Sequence, residues 1–403
     1  MTPVEWLSEF RSLTEKHVET DRPLTEEDVW GRADAPLIWK STTFAGRPSF
    51  YPVFEWNGFY SYSPLALVLK KGRYLPTAES HAFRMRPDFR YVPANVPFER
   101  ELQRIGGAPE RRPSLKDEDE FVEQLATALQ SDVAAVEDRH PGYTNVIGCG
   151  GKDSLNLLLL PWTNPVMVVS ARPNFELVQQ FVHRNGLGHE VIEMEDSVDE
   201  GWDVIETALG LGTIDMQHIR WSPHRRRIAE SLQRRAIFWS GALLDAYTTP
   251  RWRTLANYPG PREQRLRNLY ARRFDRLPSA AEVPISHGLQ RLLPEILWRR
   301  CAAFQGMHQA HVRAFSGGFP QSAYHGPAIQ RVLARASLPA LSRRDLRGDV
   351  GARLAGRTVW YPSTNPGPPP SRLRRDFHEP SRVDEAVTWA LSSYAPSTDD
   401  SAR

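Results

Sequence analysis

Residues 144–171, TNVIGCGGKDSLNLLLLPWTNPVMVVSA, set two short apolar runs on either side of a glycine pair and a leucine-rich segment. The runs TNVIG and PVMVVSA read as buried strands, SLNLLLL supplies two helical turns, and Pro161 stops them. The order is strand, turn, helix, strand. Parallel strands joined by so short a connection need a right-handed helical crossover, which predicts an open, doubly wound, mainly parallel α/β sheet.

The rest of the chain extends that alternation. Val122, Leu125, Leu129, Val133 and Val136 recur at helical spacing behind an acidic cluster suited to a helix N-terminus. A helix is expected over 174–186, a third strand in HEVIEME from residue 189, a helix from Arg220 to Arg235 and a strand over 236–241. Mainly helical structure should follow to about residue 356. Near the start, Asn57-Gly58 between aromatic runs marks a two-residue hairpin turn, and LALVLKKGRYL after it reads as further strand. The expected organisation is a small α+β domain with a helical start over 1–105 and a polar linker over 106–120. The α/β domain with a helical C-terminal part follows over 121–360, then a proline-rich arm, a last helix and a tail over 361–403.

The 403 residues, 40% hydrophobic and 25% charged, suffice for two domains and a sizeable core. No apolar run approaches the roughly 18 residues of a membrane span, and MTPVEWLSEFRSL lacks the basic-then-apolar order of a secretion signal, so a cytoplasmic location without membrane contact is expected. Cys149 and Cys301, the two cysteines, suit a reducing compartment and exclude a zinc site built on paired cysteine motifs. The net charge of +3 hides a basic stretch from Arg220 to Arg276, with 14 arginines against 4 acidic residues. It reads either as solvated helix faces or as a surface for phosphates, an acidic substrate or RNA. No aromatic-interleaved nucleic-acid motif accompanies it. His183, His189 and His218 show no metal-ligand spacing, and Trp221, Trp239 and Trp252 read as core.

Between a strand's carboxyl end and a helix start, unpaired amides and the positive dipole end attract anions. Gly150 and Gly151 let the backbone approach a phosphate, and Ser154 offers a hydroxyl. Lys152 at a helix start is unfavourable against the dipole unless an anion sits there. Asp153 would repel phosphate by itself, so it makes sense there with Mg²⁺ between the two. Asp153 as a plain first-turn residue and Gly150-Gly151 as a plain turn are the competing reading. The loop is not a Walker A motif. Ser170 ends the second strand, where the switch-point rule places a base or ribose.

CGGKDS resembles the Ser-Gly-Gly-x-Asp-Ser loop of the PP-loop ATP pyrophosphatases, and residues 121–154 look like the opening of the synthetase domain shared by asparagine synthetase and β-lactam synthetase. WSGALLDAY is similar to that family's second motif, Ser-Gly-x-Gly-x-Asp-Glu, through Ser240, Gly241 and Asp245. The resemblance covers roughly residues 118–358. It implies ATP and Mg²⁺ as cofactors, with Cys149, Gly150, Gly151, Lys152, Asp153, Ser154, Ser170, Ser240 and Gly241 around the nucleotide and Asp153 and Asp245 as metal ligands. Thr2 stands where glutamine-using members carry a nucleophilic cysteine, so the resemblance implies no functional N-terminal glutaminase. The family's late lysine is missing, since Lys152 is the last lysine of this chain. Arg344 or Arg347 is the expected substitute beside Lys152 in catalysis, although arginine's fork is larger and never deprotonates. Ala242 and Ala246 stand where acidic residues are common in the second motif.

The function implied is an AMP- and pyrophosphate-forming ligase that adenylates a small-molecule or peptide carboxylate and passes it to an amine or ammonia. A nucleotide-binding protein with a decayed site, or an RNA-modifying PP-loop enzyme, are the alternatives. A homo-oligomer is left open.

Overall fold

The computed structural model describes residues 3–45, 53–71, 90–92, 115, 117–194, 222–241, 244, 307–333, 335–343 and 345–363. Asp245, Arg344, Cys301, His218, Trp221, Trp252, most of the 106–120 linker, most of the basic stretch and everything beyond residue 363 lie outside the described residues.

The N-terminal unit begins with helix α1 (Pro3–Glu15), followed by strand β1 (Val18–Thr20), helix α2 (Glu26–Trp30) and strands β2 (Trp39–Ser41), β3 (Val53–Trp56) and β4 (Phe59–Ser61). Asn57 and Gly58 join β3 to β4 with φ of 46° and 79°, the paired left-handed conformation of a tight hairpin turn. With β5 (Arg90–Val92) the sheet order is β1-β2-β4-β3-β5, parallel between β1 and β2 and antiparallel elsewhere. LALVL is not strand. It lies in helix α3 (Pro64–Lys71), whose start is set by Ser63 accepting the Ala66 amide at 3.4 Å and by Pro64 in the first position. Leu65, Ala66, Leu67, Val68 and Leu69 are all buried, so the run carries no polar face whose period would distinguish helix from strand.

The second unit is a five-stranded sheet in which every pairing is parallel: β6 (Thr144–Cys149), β7 (Val166–Ser170), β8 (Val191–Glu193), β9 (Ala236–Ser240) and β10 (Phe319–Ser322), in the order β10-β9-β6-β7-β8. Helix α4 (Glu118–Arg139) precedes β6, with Asp117 accepting the Asp119 and Glu120 amides at 2.8 and 3.2 Å and three carboxylates in its first turn. Helices α5 (Phe175–Arg184), α6 (Ser222–Ser231), α7 (Met307–Ser316), α8 (Pro327–Leu333), α9 (Leu338–Leu341) and α10 (Leu346–Ala355) complete the unit. Ile147, Val168, Ile237 and Trp239 share one core with α4, α5, α8 and α10. Val146, Val169, Ala236 and Phe238 share another with Ala229 of α6 and Val312 of α7, so both faces of the sheet are covered. Among the described residues no helix is long and apolar enough to cross a membrane.

The helical turns expected over SLNLLLL are a 3-10 helix spanning residues 152–159. Its three-residue period sets Asp153 and Asn156 in one row, while Leu155, Leu157 and Leu158 are all buried, and that burial on several sides erased the 3.6-residue pattern. Within the mainly helical region expected to about residue 356, FPQS adds β10. Gly317 and Gly318 before it and Pro320 within it look like turn chemistry, yet β10 is an edge strand, where proline is tolerated.

Buried polar groups hold the amino end of this sheet and join the units. Glu137 of α4 accepts from Asn145 Nδ2 at 2.6 Å and from the Thr163 and Asn164 amides, and Asn145 accepts from Trp239 Nε1 at 2.7 Å. Arg313 of α7 donates to the Val29 and Arg32 carbonyls at 2.7 Å each and lies over the Tyr62 ring at 4.3 Å. The Ala33 amide donates to His140 Nε2 at 3.3 Å.

Asp132 of α4 is 8% exposed, and its carboxylate accepts the first amides of α8, Ala328 and Ile329, at 2.9 Å each. It therefore caps a helix remote in sequence. Burial pushes its pKa up from 3.8 to about 6 despite those amides. A raised folded-state value means stability present below the unfolded pKa and lost as pH rises through about 6. In denaturant unfolding, the wild type should gain about 2 kcal/mol from this site between pH 7 and pH 4. Asp132→Asn should lack that gain, so the difference between the two proteins should shift toward the wild type by that amount as pH falls; parallel pH curves would contradict the assignment.

Candidate functional site

From β6 the chain passes to its neighbours β7 and then β8 on one side, while β9 and β10 lie on the other. Such a reversal opens a crevice beyond the carboxyl ends of the two central strands. The loops that leave β6 and β9 there are the two glycine-bearing motifs. Gly148 and Ser240 are cross-strand partners; β6 ends one residue later at Cys149, and Gly150 and Gly241 begin the loops. A Cβ on Gly241 would overlap the Asp153 carbonyl and the Ser154 amide, so only glycine permits this approach. Gly151 takes a φ of 142°, open to glycine, and precedes the 3-10 helix directly. Gly150 is exposed, with nothing within 4 Å of where a Cβ would stand.

The side chains named from the sequence divide into those that hold the loop and those that face the crevice. Cys149 is buried, its thiol pushed up to about 12 by desolvation, so it is an inert core group. Its carbonyl accepts the Ser170 hydroxyl at 2.6 Å. Ser170 is fully buried and thus ties β7 to β6. Ser154 is also buried, and its hydroxyl donates to the Gly151 carbonyl at 3.0 Å, closing the turn. Ser240 is half-buried at the end of β9. Lys152 is partly exposed, its Nζ donating to the Ser363 carbonyl at 2.8 Å; burial, and then the Arg347 charge, lower its pKa.

Asp153 forms an ion pair with Arg347, from Arg347 Nη2 to Asp153 Oδ1. Of the two arginines expected to replace a late lysine, Arg347 thus stands at the glycine loop, brought there by the first turn of α10. Asp345 starts that turn by accepting the Gly348 amide at 3.2 Å. Arg344 and Asp245 lie outside the described residues. Leu244, one residue before Asp245, is buried, and its amide reaches the Gly241 carbonyl at 3.4 Å.

Three residues not named from the sequence complete the site. Asn156 Nδ2 donates to the Arg347 carbonyl at 3.2 Å, and the Tyr361 hydroxyl donates to Asn156 Oδ1. Asn156 therefore joins the 3-10 helix, α10 and the segment after it. Its sequence signal was an amide inside the leucine run SLNLLLL; in the fold it is fully buried, which asks for partners. Asn174 is buried and donates to the Gly150 carbonyl at 2.9 Å, supporting the loop from the far side of β7. Beyond α10, Trp360 and Asn185 exchange hydrogen bonds of 2.9 and 3.0 Å, so the segment leading to Ser363 is anchored on the end of α5.

The main chain at Gly150 and Gly151, with Lys152 and Arg347 beside it, suits an anionic group. For a divalent cation the fit is conditional, since Asp153 already carries a counter-ion. Among the described residues no three His, Cys, Asp or Glu side chains gather as a metal site.

Two glycine substitutions should separate scaffold from site. Gly241→Ala should cost about 1–3 kcal/mol in denaturant unfolding, because it forces the β9 loop off the Asp153–Ser154 backbone. Gly150→Ala meets open space and should stay within about 0.5 kcal/mol of wild type. Equal losses at the two positions would contradict the packing described.

Neither a family model nor a curated protein matches this chain.

Proposed function

We propose that the chain is an ATP-dependent, AMP- and pyrophosphate-forming ligase of the PP-loop kind, joining a carboxylate to an amine or ammonia on a doubly wound sheet. The observation that carries this reading is the meeting of the two glycine loops at the strand-order reversal, with Asp153 of the first loop paired to Arg347 of α10. The resemblance of CGGKDS and WSGALLDAY to the asparagine synthetase and β-lactam synthetase motifs supports the same assignment.

On this reading the Gly150 and Gly151 main chain cradles the phosphates. Lys152 and Arg347 offset the charge that grows on pyrophosphate as the substrate carboxylate attacks the α-phosphorus and the bond to the leaving phosphate breaks. The amine then displaces AMP from the acyl carbon. Asp153, with Asp245, would hold Mg²⁺, which when bound supplies charge neutralisation on the phosphates. Arg347 stands in for the family's late lysine; as a planar guanidinium it can grip a phosphate through two parallel donors but cannot act as a base. A cytoplasmic location and small-molecule or peptide substrates belong to this proposal.

One observation favours a second reading, a nucleotide-binding protein without turnover: Asp153 and Lys152 already have partners within the chain. The RNA-modifying alternative gains no such support, since Arg226 and Arg234, within the described part of the basic stretch, are paired with Glu230 and Glu9.

Pyrophosphate release from ATP across a panel of carboxylates with amine acceptors tests the ligase. Asp153→Ala should lower the rate about 100-fold, the scale of one lost transition-state contact. Release unaffected by that substitution would discard the assignment. ATP binding by calorimetry without turnover on any substrate would favour the second reading.

A further inference from the structure

Resting on that reading, we propose that Asn174 is the positioning residue of the phosphate cradle. Its side-chain amide fixes the turn of the Gly150–Gly151 peptide, so that the Gly151 N–H faces the crevice and donates to an oxygen of the incoming polyphosphate.

Asn174 forgoes an ordinary task to do this. It stands at the N-cap of α5, where an asparagine side-chain oxygen commonly accepts an amide of the first turn, yet it makes no such bond. Instead Nδ2 donates to the Gly150 carbonyl at 2.9 Å, and Oδ1 is buried with no donor among the described residues. Turning the amide over would set Oδ1 against the Gly150 oxygen, so its two ends are not interchangeable. A buried acceptor left without a donor is costly, and a side chain kept only to stabilise α5 would have used it on the helix.

The peptide then does the aiming. It is planar and trans, so its N–H points opposite to its carbonyl. The Gly150 carbonyl is drawn toward the residues that follow β7, and the Gly151 N–H is therefore turned the other way, toward β9 on the opposite flank of β6. That is the side of the crevice, where Gly241 meets the Asp153–Ser154 backbone and Arg347 stands at Asp153. With no side chain on either glycine, both turns of this peptide are open and nothing local selects one. Asn174 makes the selection from a rigid base, its amide bonded to the Ala171 carbonyl and its carbonyl to the Val178 amide, both at 3.0 Å. Gly151 is buried, and a hydrogen bond from its amide to an anion is stronger there than in water. Lys152 and Arg347 attract a polyanion without directing it; a fixed amide gives it one orientation.

The test uses the full chain with glycine isotopically labelled at its carbonyl carbon and amide nitrogen, followed by nuclear magnetic resonance. Only a glycine that follows a glycine couples the two labels, which leaves the amides of Gly107, Gly151 and Gly318, and the signal lost in Gly150→Ala is that of Gly151. Inorganic pyrophosphate, added without metal, should move the Gly151 amide proton downfield in the wild type. Asn174→Ala should bind pyrophosphate at least about tenfold more weakly by calorimetry, and its Gly151 signal should no longer follow the ligand. Asn174→Asp, of the same shape but without the donor, should behave alike. A wild-type Gly151 amide that ignores pyrophosphate, or an affinity unchanged in Asn174→Ala, would overturn the proposal. If near-ultraviolet dichroism shows Asn174→Ala unfolded, Asn174→Asp against wild type decides on the same readings. A Gly151 response that depends on Asn174 in a chain that never releases pyrophosphate from ATP would sustain the positioning role and reject the ligase. Release at the wild-type rate in Asn174→Ala would keep the ligase and reject the role.

Discussion

The peptide linking Asp153 to Ser154 lies so close to Gly241 that no side chain fits between them, and the crevice of this protein is built on that contact. It exists because β6 and β9 are adjacent parallel strands whose chains depart to opposite sides of the sheet. Where departures diverge, no crossover covers the strand ends. The glycines at 150, 151 and 241 serve three separate needs there: open approach, a left-handed turn and close packing.

Electrostatics at the crevice is a matter of few charges in a small space. Asp153, Lys152 and Arg347 come from a loop and from a helix distant in sequence, and each has a partner in the chain. The Asp153 carboxylate offsets one of the two cations, which lowers the cost of holding Lys152 and Arg347 near one another. Tyr361 and Asn156 hold the start of α10.

Buried polar groups anchor the sheet and join it to the N-terminal unit. Glu137, Asn145 and Trp239 form a buried chain of hydrogen bonds linking α4, β6 and β9, and Asp132 lends a carboxylate to the start of α8. Arg313 brings a buried guanidinium from α7 into the N-terminal unit through two carbonyls and aromatic faces. Each group is costly to bury alone and tolerable because its donors and acceptors are matched.

Periodicity and turn chemistry made much of this legible in advance. Local signals suffice where one short stretch dictates geometry: Asn57-Gly58 for a hairpin, the apolar runs at 144–148 and 165–171 for neighbouring strands, and Asp117 with its acidic successors for the start of α4. They failed where residues are buried all round, as in LALVL and SLNLLLL, because a segment without a polar face has no period, and at FPQS, whose proline suits an edge strand as well as a turn. Read locally, the chain shows a glycine loop after a buried strand and no lysine beyond Lys152. The pairing of Asp153 with Arg347 emerges only in the folded chain. Their separation along the chain leaves no local trace; it is closed by α10 packing on the 3-10 helix, a long-range contact that no window of sequence contains.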